Sequence, residues 1–149
     1  MSKKITNSVN KNFHKKLVGF LTKEGKKSKA VSIVNSSFLL VSKNKDLSFS
    51  EIESRLIEKL NSFVEIKKVR IRRGSHMVPF PVNDNRRFYL MVKWLMQSVK
   101  EDKRKKPLSE KIAFEIEQTL KDSPSKSVKL KNLNIAQSIS NRSNIHYRW

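Results

Sequence analysis

The chain has 149 residues and a formal net charge of +20, from 33 Lys and Arg against 13 Asp and Glu. This length predicts one domain, and the 37% hydrophobic content predicts a folded body with a small core. The absence of Cys excludes disulfides and thiolate metal sites, the three His are widely spaced, and no apolar run reaches the roughly 20 residues of a transmembrane helix. We therefore expect no enzyme, metal, cofactor, small-molecule substrate or membrane partner, and a polyanion is the expected ligand.

The first part of the chain predicts a basic, flexible arm followed by three helices. Residues 1–12 form the arm, and the first helix ends near Gly25. A loop over 43–46 and a capping box of Ser50 with Glu53 precede the third helix. Apolar residues at helical spacing give the expected buried positions: Phe13, Leu17, Phe20 and Leu21 in the first helix, Ala30, Val34, Phe38 and Val41 in the second, and Ile52, Leu56, Leu60 and Phe63 in the third.

The segment 64–82 predicts a β-ribbon that projects from the body, because β-branched and apolar residues alternate with cations there. Gly74-Ser75 is the expected turn, and the apolar residues change phase along the outgoing strand, which predicts a bulge. Pro79 and Pro81 lack a backbone donor, so we expect no third strand beside the returning one.

The remainder predicts three more helices. The fourth is the clearest, since Phe88, Met91, Val92, Leu95, Met96 and Val99 recur every three or four residues. Arg86, Lys93 and Lys100 are seven residues apart and form a basic stripe on another face, while Trp94 is expected in the core. The fifth helix begins near Ser109, and the sixth spans 126–145. The expected buried positions of the fifth are Ile112, Ala113, Ile116 and Leu120.

Acidic residues are segregated along the chain. Residues 1–23, 66–83 and 123–149 contain none. This pattern predicts one mixed-charge side and three basic segments that converge on a nucleic acid. The simpler alternative, flexible cations that neutralise phosphate anywhere, is disfavoured by the apolar periodicity around them. His76 is expected to contact the partner, and the terminal residues 146–149 either pack on the bundle or stack on RNA.

Several short motifs occur in a fixed order along the chain. They are Gly25-Lys26-Lys27-Ser28 followed by Ile33-Val34, the ribbon Val64-Glu65-Ile66-Lys67 with Val78-Pro79, the pairs Arg86-Arg87 and Lys93-Trp94, and the ending His146-Tyr147-Arg148-Trp149. In this order they resemble the S-seven family of small-subunit ribosomal proteins over about residues 13–149. The resemblance implies a mainly α fold, a bundle of six helices with a protruding β-hairpin between the third and fourth. It covers a single domain over 13–149, in which the charge pattern makes 123–149 a basic C-terminal segment.

The resemblance further implies a structural, non-catalytic role as a primary binder of small-subunit rRNA. Such a protein helps to assemble the head, or 3′ major domain, beside neighbouring head proteins, and lies near the exit-site tRNA and the mRNA path. The resemblance assigns RNA contacts to Lys15, Lys16, Lys26, Lys27, Lys67, Arg70, Arg86, Arg87 and Lys93. The charge pattern, the ribbon position of His76 and the aromatic cluster at the terminus add Lys3, Lys4, Lys11, Lys68, Arg72, Arg73, His76, Lys100, Arg142, His146, Tyr147, Arg148 and Trp149. The family usually has a glycine pair near the hairpin tip, where this chain has Arg72-Arg73.

One alternative function and the location stay open. An architectural DNA-binding protein could use the Pro-bearing ribbon as a minor-groove arm. Lys outnumbers Arg 24 to 9, a bias that an AT-rich coding sequence would produce. We therefore expect an organellar ribosome, mitochondrial ahead of plastid, with an AT-rich bacterium as the alternative.

Overall fold

The computed structural model describes residues 13–121 and 125–148, which form six α-helices, one β-hairpin and a terminal 3-10 helix. The elements are α1 (13–21), α2 (Lys27–Lys45), α3 (Phe49–Leu60), β1 (Val64–Ile71), β2 (Gly74–Pro81), α4 (Asp84–Glu101), α5 (Leu108–Leu120), α6 (Lys126–Ser140) and the 3-10 helix (Arg142–Tyr147). This order confirms the predicted helical bundle with a hairpin between the third and fourth helices. The predicted arm 1–12, with Lys3, Lys4 and Lys11, and the terminal Trp149 lie outside the described residues.

The core lies between α1, α2, α3, α4 and α5, and most of the predicted apolar stripes supply it. Every stripe residue predicted for α2 and α4 is buried, and in α5 Leu120 alone of the four is half-buried. Phe63 was expected to complete the α3 stripe, but this prediction is wrong because its side chain is 62% exposed. Since α3 ends at Leu60, Phe63 follows in the extended connection to β1 and no longer shares the helical face.

The start of α3 differs from its prediction in a way that changes one side chain. Ser48, not Ser50, is the N-cap: the Glu51 amide donates to Ser48 Oγ, and the Ser48 amide donates to the Glu51 carboxylate at 3.0 Å. The predicted loop over 43–46 is also wrong, because α2 continues to Lys45 and leaves only a short connection. Glu53 is consequently turned into the protein, where burial raises the pKa of its carboxyl to about 7.

The hairpin is regular along its whole length. The two strands pair antiparallel from Val64 opposite Pro81 to Ile71 opposite Gly74 without interruption, so the predicted bulge is wrong. The apolar residues change from one face of the ribbon to the other for a different reason. Both faces are partly buried, each along a different part of the strand. The predicted turn at Gly74-Ser75 is also wrong, because the chain reverses at Arg72-Arg73 and Arg72 takes a left-handed conformation with φ of 52°.

The hairpin is braced along its base by the C-terminal part of the chain. The Asn134 side chain of α6 donates to the carbonyl oxygen of Val64 at 2.8 Å, and that of Asn144 donates to the carbonyl oxygen of Met77 at 3.0 Å. Arg148 Nε donates to the carbonyl oxygen of Pro79. A residue's N and carbonyl point to the same edge of a strand, so Pro79 places its missing donor on the outer edge of β2 and leaves the pairing with β1 intact.

Three further predictions concern the hairpin and the elements that pack beside it. Among the described residues the sheet has two strands, as the prolines predicted. The predicted helix over 126–145 ends earlier, at Ser140, because the chain tightens into the 3-10 helix that lies along β2. Trp94 is buried, as predicted, in a small second cluster with Val82, Leu90 and the half-buried Leu130. This cluster joins α4 to α6 and to the end of the hairpin.

Candidate nucleic-acid interface

The base of the hairpin is joined to the start of α4 by an ion pair. Arg86 Nε donates to Glu65 Oε2 at 2.9 Å, and Arg86 Nη2 donates to Glu65 Oε1 at 2.6 Å, so the contact is bidentate. The hydrogen bonds from Arg86 hold the pKa of the Glu65 carboxyl below its usual range, and the nearby charges of Arg86, Lys67 and Lys93 lower it further. Lys67 belongs to β1 and Lys93 to α4, so cations of both elements contribute to the lowering of the Glu65 pKa.

A chain of cations and aromatic rings continues along α4 towards its end. The guanidinium of Arg86 lies 4.6 Å from the centroid of the Tyr89 ring, and Lys100 Nζ lies 5.6 Å from that of Phe20. The rings of Tyr89 and Phe20 are themselves 6.4 Å apart between centroids. Aromatic faces attract cations, so these rings hold the basic side chains against the surface while their charged ends stay exposed.

Helices α1 and α4 also border a common groove of about 370 Å³. Its lining is made by Lys15, Lys16, Gly19, Phe20, Tyr89 and Val92. The two lysines are exposed. The predicted contacts Lys15 and Lys16 therefore lie beside Tyr89, the ring that packs against Arg86 of the predicted stripe.

Arg87 does not share this surface with Arg86. Its guanidinium lies 4.4 Å from the centroid of the Phe63 ring, and its Nη2 is 3.2 Å from Asp84 Oδ1. Its side chain is more buried than that of Arg86. Consecutive helical residues point about 100° apart, and the two arginines predicted as a pair accordingly have separate surroundings.

The hairpin presents cations on both faces and at its tip. Lys67 lies on the face of Glu65, with its Nζ 5.3 Å from the centroid of the Phe80 ring. Lys68 and Arg70 are on the opposite face, since side chains alternate along a strand. Arg72 and Arg73 form the exposed tip. A ribbon charged in this way can meet phosphates on either side of it.

The C-terminal residues pack on the hairpin, which answers part of the question left open by the sequence. The ring of Tyr147 is 4.9 Å from that of His76 and 3.8 Å from that of His146, between centroids. The guanidinium of Arg148 lies 6.0 Å from the centroid of the Phe80 ring. His146 and Arg148 remain exposed, so they can still meet an external partner. His76 is half-buried beneath this packing.

The other predicted contacts lie further from this cluster. Lys26 and Lys27 are exposed at the start of α2, where Lys26 pairs with Glu24. Arg142 is exposed at the start of the 3-10 helix and borders an apolar groove between that helix, α6 and the hairpin base.

Sequence reasoning did not assign a role to Glu65 or Tyr89. Glu65 does carry a signal, because it is the acid immediately before the acid-free segment 66–83 and lies 21 residues before Arg86. Its partner could not be identified from spacing alone. Tyr89 lies between two members of the basic stripe, and only its position beside Phe20 reveals its contribution.

Residues 13–121 and 125–148 contain no cluster of three or more His, Asp or Glu suited to holding a metal ion. No helix within the same ranges is long and apolar enough to cross a membrane.

Comparison with known proteins decides the family. The sequence matches the ribosomal protein S7p/S5e family over residues 2–142, nearly the whole chain. The chain belongs to this family. It is therefore a structural constituent of the small ribosomal subunit and not an enzyme.

The relatives agree with this assignment at modest identity. The "Small ribosomal subunit protein uS7" of Syntrophus aciditrophicus is 35% identical over 100 residues, which cover 67% of this chain and 64% of that protein. The protein of the same name from Caldicellulosiruptor saccharolyticus is 28% identical over 134 residues, or 90% of this chain and 85% of that protein. The "Small ribosomal subunit protein uS7m" of Reclinomonas americana is 28% identical over 140 residues, or 94% of this chain and 87% of that protein.

Proposed function

We propose that this chain binds small-subunit rRNA directly and helps to assemble the head of the subunit. The observation that carries the proposal is the bidentate ion pair between Glu65 of the hairpin and Arg86 of α4, which joins two elements that carry predicted RNA contacts. Two rigid elements whose charges meet in this way can recognise the shape of folded RNA, which flexible cations cannot do.

The binding surface that we propose has a definite extent. It comprises the exposed cations of the hairpin, the α4 stripe and the lysines of the α1–α4 groove. Lys26, Lys27 and the arm residues Lys3, Lys4 and Lys11 extend it. His76, Arg142, His146, Tyr147, Arg148 and Trp149 form its C-terminal side, and Arg87 supports α4. We also propose that neighbouring head proteins, exit-site tRNA and mRNA lie within reach of the hairpin and the C-terminal segment.

The test compares two nucleic acids at fixed salt. The chain is titrated into the 3′ major domain of small-subunit rRNA and into duplex DNA of equal length, with competitor tRNA, at several salt concentrations. We expect the rRNA domain to be bound more tightly, with a linear dependence of log affinity on log salt. Equal or tighter binding to the DNA duplex would instead support the architectural DNA-binding alternative.

We further propose that the ribosome in question is mitochondrial. The excess of Lys over Arg, 24 to 9, and the similarity to the mitochondrial relative uS7m of Reclinomonas americana support this location. A tagged chain should sediment with mitochondrial small subunits in a density gradient. Sedimentation with plastid or bacterial subunits would reject the mitochondrial location while leaving the rRNA proposal intact.

A further inference from the structure

Glu65 is an acid within the surface that we propose for RNA, where a carboxylate should repel phosphate. Glu65 is only 9% exposed, and both of its carboxylate oxygens accept hydrogen bonds from Arg86. An unpaired acid would weaken binding at such a position, but this one has its charge covered by a guanidinium. Its negative charge therefore acts chiefly inside the protein.

The ion pair fixes the orientation of the Arg86 guanidinium. Two of the five N–H donors of an arginine face Glu65, and the Tyr89 ring lies against the same group. The Arg86 side chain is nevertheless 45% exposed. The N–H donors of Arg86 that Glu65 does not use thus face the exterior. Because the guanidinium is already held in place, binding a phosphate costs it less conformational entropy.

The same contact fixes the direction of the hairpin. Glu65 lies on β1 opposite Phe80, close to the point where the ribbon leaves the body. The adjacent carbonyl oxygen, that of Val64, accepts the hydrogen bond from Asn134. The base of the hairpin is consequently held by α4 through Glu65 and by α6 through Val64. A small rotation at this base would move the tip by a large distance, because the strands extend eight residues from it.

We propose that Glu65 is a positioning residue for RNA recognition, which orients Arg86 and sets the angle between the hairpin and α4. This inference rests on the proposed binding of rRNA. Glu65 and RNA are both negatively charged. Simple electrostatics therefore predicts that Glu65 weakens RNA binding, whereas positioning predicts that it strengthens it.

The decisive variant is Glu65→Gln, which removes one negative charge but nearly preserves the shape. Electrostatics alone predicts that a more positive protein binds RNA more tightly. Positioning predicts weaker binding, by roughly tenfold, because the charge-assisted bidentate contact is lost. Glu101→Gln is the matched control, since it changes the charge equally at an exposed acid at the other end of α4. It should bind as tightly as the wild type or slightly more tightly.

Hydroxyl-radical footprinting of the bound rRNA separates positioning from loss of stability. At a temperature where thermal unfolding shows both proteins folded, E65Q should lose or shift the protections made by the hairpin. Arg86→Lys keeps the charge but cannot form the bidentate pair, so it should give the same loss, and it carries the test if E65Q does not fold. The double variant should be little worse than either single variant, because both remove one interaction.

The outcomes are distinguishable. The role of Glu65 is supported if Glu101→Gln binds as the wild type does, while E65Q or R86K binds more weakly and alters the hairpin protections. Unchanged or tighter binding of those variants, with the wild-type footprint, overturns that role and leaves the rRNA proposal standing. Failure of the wild-type chain to bind the rRNA domain overturns both.

Discussion

The helical body and the hairpin base are held by different kinds of interaction. In the body, α1 to α5 bury apolar stripes against one another, and the fully buried side chains include Leu17, Leu56 and Leu95. At the hairpin, the small Trp94 cluster supplies less apolar contact, and a few polar contacts from distant parts of the chain hold the strands: Arg86 to Glu65, Asn134 to Val64 and Asn144 to Met77. Apolar burial is spread over many atoms, whereas each of these polar contacts depends on one pair of residues.

The difference predicts what each region can tolerate. Loss of one core side chain should lower the stability of the whole domain, since the body unfolds cooperatively. Loss of one polar contact at the hairpin base should leave the body folded and change the geometry of the arm. Variants in the two regions should therefore have separable effects on stability and on RNA binding.

The largest effect on stability is expected in the body. Leu95 is fully buried in α4, and Leu95→Ala should lower the free energy of unfolding by about 2–5 kcal/mol. Urea denaturation followed by circular dichroism measures the change. Phe63→Ala is the control, since this side chain is 62% exposed and its loss should cost much less. Similar losses for the two would show that the apolar body is not where stability resides.

A large effect on binding without loss of stability is expected at the hairpin tip. Replacement of Arg70, Arg72 and Arg73 by Ala should reduce the slope of log affinity against log salt by about 0.7–0.9 for each phosphate contact that is lost. Filter binding to the rRNA domain over a salt series measures this slope. Lys43, Lys45 and Arg55 can be replaced together as a control with equal change of charge, since these exposed cations lie on α2 and α3. Equal effects of the two triple variants would show that charge alone, and not its position, governs binding.

Glu53 makes the stability of the body depend on pH between about 4.5 and 7, whereas Glu65 in the hairpin, whose pKa is lowered, acts only at lower pH. Burial raises the pKa of the Glu53 carboxyl from the ordinary 4.5 to about 7. The folded protein thus retains a proton that the unfolded chain releases, so this contribution to stability is complete below about 4.5, falls as the pH rises towards 7 and is lost above it. Glu53→Gln should remove this loss and stabilise the protein at pH 8 by on the order of 1–2 kcal/mol. Thermal unfolding at pH 5 and pH 8 tests it; an equal fall in Tm for both proteins would exclude Glu53 as the cause.

The smallest effect is expected at the cap of α3. Ser48→Ala should cost about 1 kcal/mol of stability, because the Glu51 amide loses its acceptor. Ser36→Ala, at an exposed position within α2, should change stability by less than about 0.5 kcal/mol. Chemical denaturation of the two variants compares them. Equal stability of the two variants would contradict the assignment of Ser48 as the N-cap of α3.

Local pattern allowed most of the body to be predicted from the sequence. The stripes of α2 and α4 were confirmed because helical periodicity reports directly which face is buried. The cap of α3 was missed because Ser48 with Glu51 and Ser50 with Glu53 have the same spacing. The length of α2 decides between them, and that length depends on packing. The turn was missed because Gly74 is a strong local signal, while the unbroken pairing of the strands places the reversal at Arg72-Arg73.

The candidate site was predictable as a set of cations but not as a geometry. Charge segregation identified the hairpin, helical spacing identified the α4 stripe, and the structure joins the two elements through an ion pair. The orienting contacts join residues far apart in sequence, such as Glu65 with Arg86 and Asn134 with Val64. Polar pairs of this kind have no periodicity, so only the folded chain reveals them.

The most direct test of the central claim uses the natural absence of Cys. Lys67→Cys on the hairpin and Lys93→Cys on α4 each accept a tethered iron–EDTA group, and Arg55→Cys on α3 serves as the control. If the hairpin and α4 form one RNA-binding surface, the first two probes should cleave the same or adjoining rRNA segments within the bound complex, and the third should cleave them far less. Cleavage of separate rRNA segments from positions 67 and 93, or equal cleavage from all three positions, would contradict the account.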